Sequence, residues 1–324
     1  MDFLSSEDEM DEPRVFARQA TLMGSPFEIK IDLSSSEDEQ FAETCFAEAF
    51  AEIRRIEDLL TDFRESPFNA INVQAGLRPV AVTREIFDLI QLALGFSEES
   101  GGAFDISYAS VGQLWREAMR SGIPPSQTQI NQAKKQINFR KIQCDQERCE
   151  IFLPHPDMKL GLGGIGKGYA VDRAYQVLKA FELKRFMVNG AGDIRVFSEG
   201  EGAPPWNIGV RNPFSKDPFS AVAGFSMKTG SIASSGDYER YLDHQGKRYH
   251  HVLDGRSGEV TQGVASATVF ADDALTADVC ATILMVLGPQ EASDFLNKKE
   301  GVSGLLINSS GESIYFLDAF NYWG

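Results

Sequence analysis

The chain is poor in the residues that staple small folds and build structural metal centres: its 324 residues hold four cysteines and four histidines. Cys45, Cys144, Cys149 and Cys280 never take the C-x-x-C spacing, so neither a zinc module nor a disulfide scaffold organises the fold. Cys45 and Cys280 fall among apolar residues and read as buried free thiols. Cys144 and Cys149 flank D-Q-E-R, a hairpin turn across which they are placed to pair in an oxidising compartment. Positive charge is also scarce. Lys and Arg number 31 against 47 Asp and Glu, a formal net charge of −16, which excludes the cationic footprint of a nucleic-acid surface and disfavours anionic membranes. The longest apolar run, residues 281–287, is far too short to span a bilayer, so no transmembrane segment is expected. The opening M-D-F-L-S-S-E-D-E-M-D-E-P has acids where a signal peptide has bases. As given the chain is expected to be cytoplasmic, or periplasmic or membrane-anchored if a leader was removed.

What is present is enough apolar residue, 43% of the chain, for one large domain or two closely packed lobes. Residues 1–13 read as a disordered acidic tail, and residues 14–324 as the domain. Ser35 or Ser36 starts a helix that runs to Leu60, with Phe46, Ala49, Phe50, Ile53, Ile56 and Leu60 on one face. Thr83 caps a second helix, and Ser126 with Gln129 forms a capping box for a third. Strands are expected at 27–31, 185–197, 206–210, 221–228 and 264–271, with a hairpin at 141–153. Helices at 273–287 and 289–297 precede two closing strands. This irregular order predicts an α+β fold of layered sheet and helix, not a doubly wound parallel sheet.

Two segments more than a hundred residues apart carry the chemistry. G-L-G-G-I-G-K-G-Y-A at 161–170 is a glycine-rich loop running into a helix, where amides approach phosphate oxygens closely and the helix dipole adds favourable potential. A-D-V-C-A-T at 277–282 places Asp278 and Thr282 at i and i+4, two hard oxygen donors for one cation. Each alone has a plain structural reading, an ordinary turn and an exposed acid beside a back-bonded hydroxyl. The loop matches neither the P-loop pattern, since Lys167 is followed by Gly168, nor the dinucleotide fingerprint. Together the two segments suggest a Mg²⁺-phosphate site, with Lys167 and Arg195 as local cations.

Further segments accompany them: M-G-S-P-F-E-I at 23–29, S-G-G-A-F-D-I-S at 100–107, V-N-G-A-G-D-I-R-V at 188–196, S-S-G-D-Y-E-R-Y at 234–241, K-R-Y-H-H-V-L-D-G-R-S-G at 247–258 and D-D-A-L-T-A-D-V-C-A-T-I-L-M-V-L-G at 272–288. In order and spacing this set resembles the ApbE family, the FAD:protein FMN transferases, from about residue 23 to 288. Two positions depart from the family pattern: Gly161 stands where many members have Asp, and Gly255 where they commonly have Pro.

The resemblance implies an ApbE-like fold and a Mg²⁺-dependent enzyme that cleaves FAD, releases AMP and attaches FMN through a phosphoester to a Thr or Ser. The hydroxyl would belong to an acceptor flavoprotein, such as a redox-complex subunit or a reductase. It further implies Gly164 (through its carbonyl), Asp278 and Thr282 as metal ligands. Met23, Ala103, Phe104, Asp105, Lys167 and Val252 are implied as contacts to the flavin nucleotide, which favours FAD over FMN. His251 is the general base the resemblance implies, since a neutral imidazole takes a hydroxyl proton near pH 7. In an extended segment His250 points to the opposite face. Two alternatives share the site: an FAD pyrophosphatase in which water replaces the acceptor, and a non-catalytic FAD-binding protein, which Gly161 makes conceivable.

Overall fold

The computed structural model describes residues 14–33, 39–217 and 219–316. The acidic tail and the Ser35 or Ser36 helix start lie outside these residues. The chain runs β1 (Arg14–Leu22), β2 (Ser25–Leu33), α1 (Glu39–Leu60), α2 (Asn69–Val73), β3 (Val80–Ala81), α3 (Arg84–Glu99), α4 (Ala109–Ser121) and α5 (Gln127–Ala133). It continues through β4 (Gln143–Asp145), β5 (Glu150–Phe152), α6 (Gly166–Ala180), β6 (Arg185–Gly190), β7 (Asp193–Ser198), β8 (Trp206–Arg211), β9 (Ala221–Met227) and β10 (Thr229–Gly236). Last come β11 (Tyr241–His244), β12 (Lys247–His250), β13 (Val264–Ala271), α7 (Ala274–Leu296), β14 (Ser303–Asn308) and β15 (Ser313–Phe316).

Eight strands form one sheet in the order β1-β2-β6-β7-β10-β13-β14-β15, every neighbouring pair antiparallel. Helices α1, α6 and α7 pack together, and α6 and α7 lie on the sheet. The β8–β9 hairpin covers the other face: its Trp206, Ile208, Val210 and Met227 bury against Met187, Val196, Ile232, Phe270 and Leu305. Because β13 has helices on one side and this hairpin on the other, all eight of its residues are buried, Ser266 and Thr268 included.

Local chemistry explains the element ends. The Thr83 side chain accepts from the Ile86 amide, and the Ser126–Gln129 capping box is formed, so both caps hold as the sequence predicts. In α1 the buried stripe is Ala42, Cys45, Phe46, Ala49, Ile53, Ile56 and Leu60; Phe50 is half-buried at its margin. The two helices expected around residue 288 are joined end to end in α7, which breaks at Gly288 (φ 69°, ψ 179°) just before Pro289. A single core runs from β2 and α1 through α3, Phe104 and Val252 to α7, so the two expected lobes share one interior as a single domain. The Cys144–Cys149 pairing is not formed: both thiols are free, and Cys144 sits opposite Ile151 in the hairpin.

Candidate active site

The site is built where the first turns of α6 and α7 meet. Gly168, in the first turn of α6, faces α7 so closely that a Cβ there would stand 2.4 Å from the Ala274 carbonyl oxygen and 2.8 Å from the Asp278 Cβ. Its amide donates to Asp278 Oδ2 at 3.0 Å. That fixes one carboxylate oxygen of Asp278 and leaves Oδ1 facing Lys167 Nζ, 3.8 Å away. One turn along α7, Thr282 Oγ1 lies 3.4 Å from Ser235 Oγ of β10 and 3.2 Å from the place a Cβ on Gly164 would occupy. Gly164, Asp278 and Thr282, predicted as ligands from segments far apart in sequence, are thus brought to one spot.

These residues fit a magnesium ion. The donors are hard oxygens, few in number, and Mg²⁺ keeps waters and takes substrate phosphates for its remaining positions. Among the described residues no group of three or more His, Cys, Asp or Glu side chains could hold a metal, so the protein offers a single carboxylate with a hydroxyl and a carbonyl.

Lys167 does not stand free for a phosphate, as the sequence suggested. Its ammonium is hydrogen-bonded to the Asp193 carboxylate, which is only 1% exposed. The two-residue turn between β6 and β7, Ala191 (φ 55°) and Gly192 (φ 102°), delivers Asp193 there as the first residue of β7. Burial opposes the charge on Lys167, but Asp193 and Asp278 outweigh it and hold its pKa above the ordinary value. Burial, and then Asp278, push the Asp193 carboxyl upward. Glu239 adds a third carboxylate to the field of this one ammonium. A surplus of negative charge around Asp278 favours a cation there.

Arg195 is not in the site. Its guanidinium donates to Asp172 Oδ1 at 2.6 Å and lies over the Tyr175 ring. A cation that sequence reasoning missed, Arg240, acts on His251 instead. It bonds the Gly24 carbonyl and the Ser25 hydroxyl and so ties the β1–β2 turn to the segment before β11. In that turn Met23 has φ 52° and Gly24 φ 68°, the left-handed pair of a tight hairpin. For methionine this conformation is strained. It aims Met23 Cε to 3.6 Å from a Cβ position on Gly166, at the start of α6.

The remaining predicted contacts divide. Phe104 packs over the loop, 3.2 Å from a Cβ position on Gly164. Ala103 is fully buried, and its carbonyl accepts the Gly255 amide at 3.1 Å. Asp105 accepts from the Ser107 amide and hydroxyl and from the Phe139 amide, so both oxygens serve the fold. Val252 is buried in the core, with its amide on His250 Nδ1 and its carbonyl on the Thr261 amide. The polar groups of Ala103, Asp105 and Val252 are thus taken up by the fold, whereas Met23 and Phe104 reach the glycine loop.

Both departures from the family pattern gain a physical setting. A Cβ on Gly161 would stand 3.1 Å from the Tyr108 ring and 3.2 Å from the Ala109 Cβ, so Tyr108 fills the space beside it. A Cβ on Gly255 would stand 2.5 Å from the Gly102 carbonyl oxygen. The Gly255 amide that bonds Ala103 is also one a proline lacks, so this glycine does more than loosen a turn.

His250 and His251 point apart, as an extended segment requires. His250 is buried, with Nε2 2.8 Å from the Thr261 carbonyl oxygen and Nδ1 accepting from the Val252 amide, which fixes a neutral tautomer. His251 is exposed, its amide bonded to the Arg240 carbonyl at 3.1 Å. Desolvation, then the charge of Arg240, with His250 and Lys167 contributing, lowers its pKa from 6.5 to about 4. The imidazole is therefore neutral at neutral pH, with Lys167 near enough to act on its charge.

Comparison with known proteins places the chain in a family. The chain is 33% identical over 307 residues to a protein of Klebsiella pneumoniae named FAD:protein FMN transferase, covering 94% of this chain and 93% of that one. It is 31% identical over 276 residues to the Treponema pallidum protein of the same name, covering 80% and 76%. The fold is similar to the crystal structure of the ApbE protein from Thermotoga maritima, with TM-score 0.84 and 30% identity over 93% of this chain and 97% of that one. It also resembles the flavin transferase ApbE from Vibrio cholerae at TM-score 0.82, covering 96% of this chain and 100% of that one, where 22% identity makes the likeness one of fold. The model of the ApbE family matches residues 23–306, which take in the α6–α7 junction and His251 alike, and the chain belongs to that family.

Proposed function

We propose that this protein is an FAD:protein FMN transferase that uses Mg²⁺ to move FMN from FAD onto a Thr or Ser hydroxyl of an acceptor flavoprotein. The observation that carries this reading is the convergence of Gly164, Asp278 and Thr282 at the α6–α7 junction. Magnesium held by these donors would neutralise phosphate charge, the main requirement of phosphoryl transfer.

The chain's own residues supply the rest. Met23 and Phe104 offer apolar contact at the loop for the flavin nucleotide. His251 takes the proton of the acceptor hydroxyl as its oxygen bonds to the FMN phosphorus. The bond between that phosphorus and the bridging oxygen breaks, and AMP departs with the oxygen. Lys167, held charged by Asp193, offsets part of the negative charge that surrounds Asp278. The product is a phosphoester between FMN and the acceptor side chain, and the reaction consumes no oxidant or reductant.

The test is incubation with FAD, Mg²⁺ and candidate acceptor flavoproteins, reading AMP by chromatography and the acceptor mass by spectrometry. An acceptor gaining one FMN per AMP released is the expected result. AMP with free FMN and no modified protein makes the chain a pyrophosphatase, and FAD binding without AMP makes it a flavin-binding protein. His251→Ala should lower transfer by about 10²- to 10⁴-fold, the range for a positioned base, with FAD binding retained.

A further inference from the structure

We infer that Asp172 is a positioning residue for the metal site, acting through the first turn of α7 and not through contact with substrate. The inference rests on the reading that Asp278 and Thr282 hold a magnesium ion. The first amides of a helix have no partner within it and take one from outside. In α7, Asp273 is the N-cap and accepts from the Thr276 amide at 2.7 Å. The two amides before it, Ala274 and Leu275, donate to Asp172 Oδ1 and Oδ2, each at 2.9 Å. Asp172 belongs to α6. In the opposite direction, Asp278 of α7 accepts the Gly168 amide of the first turn of α6.

The two helices thus exchange carboxylates, each satisfying orphan amides at the start of the other, with Gly168 at the crossing where no Cβ fits. This pair of bonds fixes both the rotation and the axial position of α7 against the loop. Turning α7 by one residue would swing Asp278 and Thr282 about 100° away from Gly164. Arg195 grips Asp172 from β7, through the 2.6 Å bond to Oδ1, and so carries the lock into the sheet. The partners of Asp172 are two amides and this guanidinium, which leaves it no part in the chemistry itself. A carboxylate at a helix N-terminus also meets favourable potential, so the bond is strong enough to set the helix.

The experiment compares wild type with Asp172→Asn, Asp278→Ala and Glu52→Gln, using Mn²⁺ as an electron-paramagnetic probe of the metal site. Glu52 of α1 holds α6 through the 2.9 Å bond it accepts from Arg173 and reports a purely structural loss against the same helix. In D172N the amide side chain keeps one oxygen and can accept only one of the two helix amides. The Mn²⁺ dissociation constant of D172N should therefore rise about 10- to 100-fold, as for partners that orient metal ligands. Its KM for FAD at saturating metal should stay within about threefold of wild type, and the amides of residues 274 and 275 should exchange faster in metal-free protein. E52Q should melt earlier with wild-type Mn²⁺ affinity. If D172N folds poorly, Arg195→Gln gives the same comparison, with a smaller loss of affinity in the same direction. Wild-type Mn²⁺ affinity in the tested variant overturns the positioning role. Mn²⁺ affinity unaltered by D278A overturns the metal reading and this inference with it.

Discussion

Replacing Gly168 by alanine sets two physical effects against each other, and the structure decides the sign. Alanine favours a helix over glycine by up to about 1 kcal/mol, so on propensity alone the variant should be more stable. The new Cβ would stand 2.4 Å from the Ala274 carbonyl oxygen, a backbone atom, where ordinary contact begins at 3.4 Å. The helices must part by roughly 1 Å or their backbones must bend, and such overpacking costs about 1–3 kcal/mol. The same movement stretches the 3.0 Å bond from the Gly168 amide to Asp278. We expect Gly168→Ala to lower the melting temperature by about 1.5 °C for each kcal/mol lost. It should also reduce the further rise in melting temperature that Mg²⁺ gives. The assay is thermal unfolding followed by circular dichroism with and without Mg²⁺. A variant as stable as wild type, with an unchanged response to the metal, would refute the claim that the α6–α7 crossing sets the site.

Asp278→Ala is expected to abolish AMP release at limiting Mg²⁺ with the fold retained, because it removes the carboxylate of the proposed ligand set; undiminished turnover there would show that the cation sits elsewhere. For His251, a folded pKa near 4 against 6.5 unfolded means the unfolded chain binds the extra proton between these values, so this group makes stability rise with pH across that window. Its ring resonances should titrate well below pH 6.5 by NMR, and a midpoint near 6.5 would remove the proposed desolvation. Asp105→Asn should destabilise the fold by about 1–3 kcal/mol, since an amide nitrogen would face N–H or O–H donors, yet leave KM for FAD unchanged; a raised KM at full folding would return Asp105 to the nucleotide.

Much of this molecule is legible in one dimension. Thr83, the Ser126–Gln129 box and the Gly288-Pro289 break act through bonds or steric limits that span a few residues, so composition and spacing find them. Asp278 and Thr282 are likewise legible as a pair, because one helical turn fixes their common face. That the segments form an ApbE-type set is legible from their order alone.

The tertiary structure decided what the marked residues bond to. Ala103, Asp105 and Val252 sit in segments that reach the site, but their buried polar groups had to be satisfied, and the nearest partners were Gly255, Ser107, Phe139 and His250. Lys167 and Arg195 carry charge wherever they lie; only folding brought Asp193 and Asp172 within bonding distance and gave each a partner other than a phosphate. The reciprocal capping of α6 and α7 joins residues about a hundred positions apart. No periodicity or local motif encodes such a bond, because it exists only once Gly168 has let two helix ends approach to backbone contact.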